Sequence, residues 1–401
     1  MLVYTVSAPT AEARRVYWLP VIFLAGIAAL FAVQLVPLPY EAWAQLPGRQ
    51  FAADILQTAR AATGARPLTM DAERTVSSGL SLLPAAAMLL AAVKLSDRDR
   101  LILGFCVIGA AALSFLLGAA QAISGTGAAA LTLFNTSNVG QPIGLFANSN
   151  HQAILLLVGF VFAGLLMPRL KGPQGRWRYT PIPYLALGAA FLIAIVLNNS
   201  RTVMLLIPVA VLAVAVRHRT SNRAIGPIIG LAAVAIGLAV LASFSQSFFD
   251  GIASFANLDD ARYGIWPDVV YAIEQFGWAG AGIGTFEPVF KTVETLGLLG
   301  PHFINHAHND YLEFVLEAGA LGVLLIGFYL AIFALACWNV LRAPRGTPHA
   351  LAYAGLVSII LLMIHSLVDY PLRTPLLSTL FALCWAMVLA CPKRTVQDQS
   401  K

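Results

Sequence analysis

Ten stretches of this chain are apolar and nearly long enough to cross a bilayer, and their succession restricts the fold more than any other feature. They lie near residues 18–36, 79–93, 101–123, 151–167, 181–198, 202–216, 225–243, 318–338, 350–369 and 375–391. A spanning helix takes roughly 17–25 apolar residues, because in hydrocarbon each backbone N–H and C=O must be satisfied within its own segment. Charged residues make up only 11% of the chain, against about 25% in an ordinary soluble domain, so a water-soluble globule is excluded. The expectation is an all-α integral membrane protein of about 10 transmembrane helices, or 12 if short ones lie within 37–78 or 124–150.

Charge placement orients the helices. With the N-terminus in the cytoplasm, the cytoplasmic segments collect 17 of the 25 basic residues, Arg14, Arg15, Lys94, Arg98, Arg100, Arg342 and Lys393 among them, and only four of the 19 acidic ones. Every short connection on that side is basic, as the positive-inside rule requires. Both termini are then cytoplasmic and the protein is multi-pass. The sequence pI of about 9.2 is a topology signal and does not point to nucleic acid as a partner. The first apolar stretch follows Arg14 and Arg15 and leads into no small-residue cleavage site, so it reads as a retained helix.

Three non-cytoplasmic segments are long: 37–78, 124–150 and 244–317. The chain accordingly divides into 1–243 with helices one to seven, 244–317 as a large outer loop, and 318–401 with helices eight to ten. In the first segment Pro37-Leu38-Pro39 makes a rigid exit from helix one, and Trp43 suits a membrane interface. The large loop carries an amphipathic helix around 262–276, turns through Gly280, Gly282 and Gly284, and ends at His306-Ala307-His308-Asn309-Asp310. The four cysteines lie in or at the ends of apolar segments without metal-ligand spacing, and read as packing residues.

The polar groups that can carry chemistry gather on the outer face. Arg201 stands where helices five and six turn, either as a functional cation or as an interfacial arginine that snorkels to headgroups. Arg262 lies in the large loop beside Asp259 and Asp260, which offer it a local ion pair. Together the two arginines would form a clamp whose planar forks match phosphate oxygens. His308, at a helix mouth, is placed to accept a proton from a hydroxyl, since a free imidazole titrates near pH 6.5. His306 with His308 is half a metal site without a third ligand, so no metal is expected.

Glu313 and Glu317 share one helix face and would orient polar partners or line the mouth. His365, Asp369 and Arg373 follow at four-residue spacing, with an Asp369–Arg373 pair capping the helix end as the simplest reading. Asn148, Asn150 and His151 begin helix four, where they would bind sugar hydroxyls or cap the helix.

These residues resemble the O-antigen ligase and Wzy-type polymerase superfamily of bacterial envelope glycan assembly. That family's signature is His, then Asn, Ser or Gln, nine residues, and G-x-x-[GTY]. Here His308-Asn309 is followed by nine residues and Gly319-Ala320-Leu321-Gly322. An Arg-x3-Leu pattern at an outer helix mouth is similar to Arg201 to Leu205, and an arginine closely followed by tryptophan is similar to Arg262 and Trp266.

The resemblance implies a fold of the GT-C kind with a large periplasmic loop, in the bacterial inner membrane. It implies an inverting glycosyltransferase, independent of metal and cofactor, that takes a glycan from an undecaprenyl-diphosphate carrier on the periplasmic face. Arg201 and Arg262 would hold the diphosphate and His308 would be the base, with Asn309, His306, Glu313, Glu317, Asn150, Asp369 and Arg373 in support.

The leading expectation is a polysaccharide polymerase, working beside a flippase and a chain-length regulator. An O-antigen ligase acting on the lipid A core uses the same donor. From another class comes a lipid or polysaccharide transporter, but a transporter needs charge along a path through the membrane, and here the helix interiors hold almost none.

Overall fold

The computed structural model describes residues 11–124, 130–134, 141–166, 181–198, 200–218, 264–299, 303–344 and 346–392. In chain order it contains α1 (Ala11–Gln34), β1 (Pro37–Pro39), α2 (Tyr40–Ala44), α3 (Gln50–Thr58), β2 (Ala65–Pro67), α4 (Ala72–Ser81), α5 (Leu83–Lys94) and α6 (Asp97–Ser124). After these come α7 (Ser149–Leu166), α8 (Pro181–Leu197), α9 (Arg201–His218), α10 (Trp266–Phe276), α11 (Phe286–Phe290), α12 (Asp310–Arg342), α13 (Thr347–His365) and α14 (Pro375–Leu389).

Nine of the ten apolar stretches fall on these helices, and the tenth, 225–243, lies outside the described residues. Among the described residues five spans are long and apolar enough to cross a membrane: Ala72–Lys94 (through α4 and α5), Asp97–Ser124, Ser149–Leu166, Asp310–Arg342 and Thr347–His365. Shorter apolar helices accompany them at Trp18–Gln34, Leu185–Leu197 and Pro375–Leu389. The protein is a multi-pass membrane protein.

α7 is the centre of the bundle. All of its residues are buried, and it packs against α6, α8, α9 and α13. Close approach needs small residues here: a Cβ on Gly159 would come 2.4 Å from the Ala111 Cβ and 3.0 Å from the Phe191 ring. A helix in this position carries its first residues directly under the polar end of the bundle.

That end is covered by a cap made from segments far apart in sequence. β1 and β2 pair antiparallel, with Leu38 opposite Arg66, in a ribbon short enough to tolerate its prolines. The described part of 37–78 thus folds as small extramembrane elements ahead of α4 and contains no extra span. Trp43, which suited a membrane interface, is instead buried with Tyr40 and Ala53, because the short helices α2 and α3 close over it.

Residues 264–299 bring their own core: Val269, Ala272, Phe276, Phe286 and Phe290 pack together with Leu316 of α12. The helix expected at 262–276 is α10, beginning at Trp266. Arg49 fastens the two segments. Its guanidinium is buried and donates to Pro47 O (3.0 Å), Leu68 O (2.6 Å) and Gly280 O (2.9 Å). Burial without a carboxylate partner pulls it down to about 10.

α12 breaks at Gly319 (φ +57), where a Cβ would meet Trp278 O at 2.3 Å. The break leaves Leu316 O and Glu317 O free to accept from Ala281 N (2.9 Å) and Gly282 N (2.8 Å), which docks the glycine-rich turn onto the helix. The first glycine of the signature is therefore required by backbone geometry.

Candidate active site

His308 sits where the cap enters α12. Asn309 is the helix cap: its side-chain oxygen accepts from Tyr311 N and Leu312 N, each at 3.0 Å, and its amide donates to Leu367 O at 2.8 Å. His308 itself has φ +49, in the left-handed region, a conformation that costs energy and that the surrounding contacts must hold. Its side chain is 23% exposed, and its Nδ1 lies 3.8 Å from Asp369 Oδ1, leaving Nε2 at the opposite edge of the ring.

Asp369 is fully buried and faces three imidazoles. His151 Nε2, at the start of α7, is 3.6 Å from Oδ1, the oxygen that His308 also faces. His365 Nε2 is 3.7 Å from Oδ2. Oδ1 also accepts from Tyr370 N at 2.9 Å. Burial works to raise the carboxyl, but the rings of His151 and His308 and the charge available on His365 outweigh it and hold Asp369 well below the usual carboxylate range. The Tyr370 ring fills the space between the histidines, its centroid 4.2 Å from His306, 5.0 Å from His308 and 5.1 Å from His151.

A second cluster forms beside the first around Arg373. Nη1 is 3.1 Å from Glu313 Oε1, Nη2 is 2.9 Å from Glu317 Oε2, and Nε is 3.8 Å from Asp310 Oδ1. The expected Asp369–Arg373 cap is thus corrected. α13 ends at His365, short of the expected 369, and Pro371–Arg373 is a tight 3-10 turn, so helical four-residue spacing no longer applies beyond Asp369. Burial works to lower the guanidinium, and the three carboxylates outweigh it and hold Arg373 above its ordinary value.

Glu313 and Glu317 face the same way, as their spacing required, and both orient partners. Glu313 also binds His306 Nδ1 (2.9 Å) and accepts from Ala307 N (2.8 Å). Glu317 accepts from Gly284 N (2.9 Å) and Phe286 N (3.2 Å). The middle of the large loop, at Gly284 and Phe286, and its close, at His306 and Ala307, are thereby tied to α12.

Asn150 is buried, and the Asn148 side chain accepts from its backbone N–H at 2.9 Å, which makes Asn148 the capping residue of the segment. Arg201 begins α9 at the same end of the bundle, beside the start of α7, where Asn198 donates to Ser149 O at 3.4 Å. Arg262 lies outside the described residues, with Asp259 and Asp260. Trp266 donates from its indole to Ala307 O at 3.0 Å, so it positions the residue before His308. Among the described residues no group of three His, Cys, Asp or Glu side chains is arranged to hold a metal ion.

A cavity of about 530 Å³ opens beside the Arg373 cluster. His306, Arg373, Arg74 and Glu287 stand at its polar end, while Phe23, Ile27 and Phe31 of α1, Tyr329 of α12 and Phe381 of α14 wall its apolar part. Arg74 bonds Glu287 at 3.1 Å, and Lys291 bonds the other oxygen of that carboxylate at 2.6 Å. These two cations hold Glu287 below its usual range.

Sequence reasoning missed Tyr370, which offers no signal beyond an aromatic beside an acid. It placed His151 with the sugar-binding or capping groups, whereas the ring turns to Asp369. No curated protein matches the chain. Residues 185–327, from α8 through the His308 signature into α12, match the family model described as O-antigen ligase, whose members are glycosyltransferase-like ligases and polymerases.

Proposed function

We propose that this protein is a periplasm-facing glycosyltransferase of the bacterial inner membrane that transfers a glycan from an undecaprenyl-diphosphate carrier to an acceptor sugar hydroxyl, acting as a polysaccharide polymerase. The observation that carries the reading is His308, held at a strained helix entrance with one ring nitrogen toward a buried carboxylate and the other edge directed away from it. A base of this kind is worth roughly 10²–10⁴-fold in rate.

In this reading the acceptor O–H gives its proton to His308 Nε2 as its oxygen bonds to the anomeric carbon. The bond from that carbon to the diphosphate oxygen breaks, its electron pair leaves on the diphosphate, and the anomeric centre inverts. Asp369 keeps the imidazole oriented and balances the imidazolium that forms. Arg201 and Arg262 take the leaving diphosphate, where fixed positive charge lowers the barrier without reorganisation.

The cavity supports a substrate with a lipid part. It falls within the roughly 300–1,000 Å³ of ligand pockets, and its apolar walls belong to helices of the membrane bundle. Its polar end contributes Asp310, Glu313, Glu317 and Glu287 against Arg74 and Arg373, a balance that suits glycan hydroxyls better than a diphosphate. The diphosphate accordingly belongs on the Arg201 side. The periplasmic orientation rests on the basic cytoplasmic connections.

A second reading, ligation of the glycan to lipid A core, is favoured by the description of the matching family. The test is the glycan profile of a deletion strain complemented with parent or His308→Ala protein, with lipid-linked and lipid A-linked material separated. The variant is expected to insert in the membrane and accumulate single lipid-linked repeats. Long lipid-linked chains missing from the core would replace polymerase by ligase. A normal profile from His308→Ala would remove the base from the mechanism.

A further inference from the structure

The start of α7 lies outside the matched family segment, yet it delivers a side chain into the centre of the site. His151 is 2% exposed and its Nε2 has no hydrogen-bond partner at normal distance; what it faces is Asp369 Oδ1, 3.6 Å away. His308 Nδ1 faces that same oxygen from 3.8 Å. Both separations are just beyond hydrogen-bond range, and contacts of this type tighten when substrate is held.

A carboxylate oxygen offers about two acceptor positions. On Oδ1 one is taken by Tyr370 N at 2.9 Å, so one remains for two imidazoles. The other oxygen faces His365.

We propose that His151 is a positioning residue for the transfer reaction: it competes with His308 for Asp369 Oδ1 and thereby sets how strongly Asp369 holds the His308 ring. The proposal rests on His308 being the base. With His151 engaged, Asp369 gives less of its charge to His308, and the base releases its proton more readily after each transfer. Without it, the remaining position on Oδ1 goes to His308 and the protonated ring is held more tightly.

The groups that meet Asp369 are His151 from α7, His308 from the cap, His365 from α13, and the backbone of Tyr370. The other nearby charges are already engaged: His306 with Glu313, and Arg373 with Asp310, Glu313 and Glu317. His151 is therefore the variable that can be removed without dismantling a short bond. The Phe146 and Tyr370 rings, 6.1 Å and 5.1 Å from it, would accept a phenyl ring in its place.

The experiment uses the full chain in membranes from a deletion strain that makes its own lipid-linked glycan. Transfer rate is followed across the range where imidazole titrates, roughly pH 5 to 8, for the parent, His151→Phe, His151→Gln and His308→Ala. His151→Phe keeps the ring volume and loses the N–H; His151→Gln keeps a donor. The acid limb of the His151→Phe profile is expected to move up by about half a pH unit or more, with His151→Gln close to the parent.

Should His151→Phe fail to insert, His151→Ala is read the same way. A rate lowered equally at every pH, with the limb unmoved while His308→Ala is inactive, would overturn the inference and leave the base in place. Transfer by His308→Ala at the parental rate would overturn both.

Discussion

The two polar clusters at the end of the bundle are mirror images in charge. In one, a single carboxylate, Asp369, faces three imidazoles; in the other, a single guanidinium, Arg373, faces three carboxylates. They differ in tightness. Two of the three Arg373 contacts are 2.9 Å and 3.1 Å, whereas all the Asp369 contacts to imidazole are 3.6 Å or longer. The Arg373 cluster is a joint that fixes the Pro371–Arg373 turn to α12. The Asp369 cluster has slack, which the proton transfer proposed for His308 requires.

The largest effect that could break this contrast is on Arg373. Replacing it by methionine leaves Glu313, Glu317 and Asp310 buried around no cation, and should cost about 3–5 kcal/mol of stability. Thermal unfolding in detergent measures this. A variant as stable as the parent would mean the cluster is not a joint.

Asp369→Asn sharpens the other half. The expected loss is in transfer, roughly 10–100-fold, as for groups that orient a reactive side chain from behind, with the protein still inserted and folded. Rates in membranes, normalised to the amount of protein, decide it. If Asp369→Asn instead lowers only the amount of folded protein, the two clusters serve the same structural purpose.

The smallest effect is on pH. Asp369 is held below its unfolded value of about 3.9, so the stability it contributes is present in full above that value and is lost as pH falls through its folded value. The melting temperature of the parent should therefore drop more steeply below about pH 4 than that of Asp369→Asn. Parallel curves would show that the imidazoles do not stabilise the carboxylate.

The elements that could be read from sequence were those fixed by local rules. Nine of the ten apolar stretches fall on described helices, and the signature brought out His308, whose Asn309 cap and Gly319 break are local backbone requirements. The shared face of Glu313 and Glu317 followed from helical spacing. The partners did not follow. Whether Arg373 meets Asp369 or Glu313 depends on where α13 stops and how the chain turns at Pro371, and the same four-residue spacing that succeeded in α12 misled there.

His151 was visible only as a polar residue opening an apolar stretch; its role needs α7 to be the central helix, which is a property of the whole bundle. Trp43 shows the same limit from the other direction. Its amphipathic character suited the membrane surface, and a small cluster formed by its own segment buried it instead.

The Arg49 clamp has a consequence for how the molecule is made. The guanidinium reaches Gly280, 231 residues later in the chain, and the Gln34 side chain reaches Glu317 O across 283 residues. Contacts this distant form last, after the loop-closure entropy of everything between has been met. The ribosome must deliver most of the chain, and most of its helices must be inserted, before the first outer segment finds its partner. Until then the Arg49 guanidinium lacks its Gly280 acceptor. Assembly order itself thus leaves the junction between the first outer segment and the glycine-rich turn unmade in an unfinished protein.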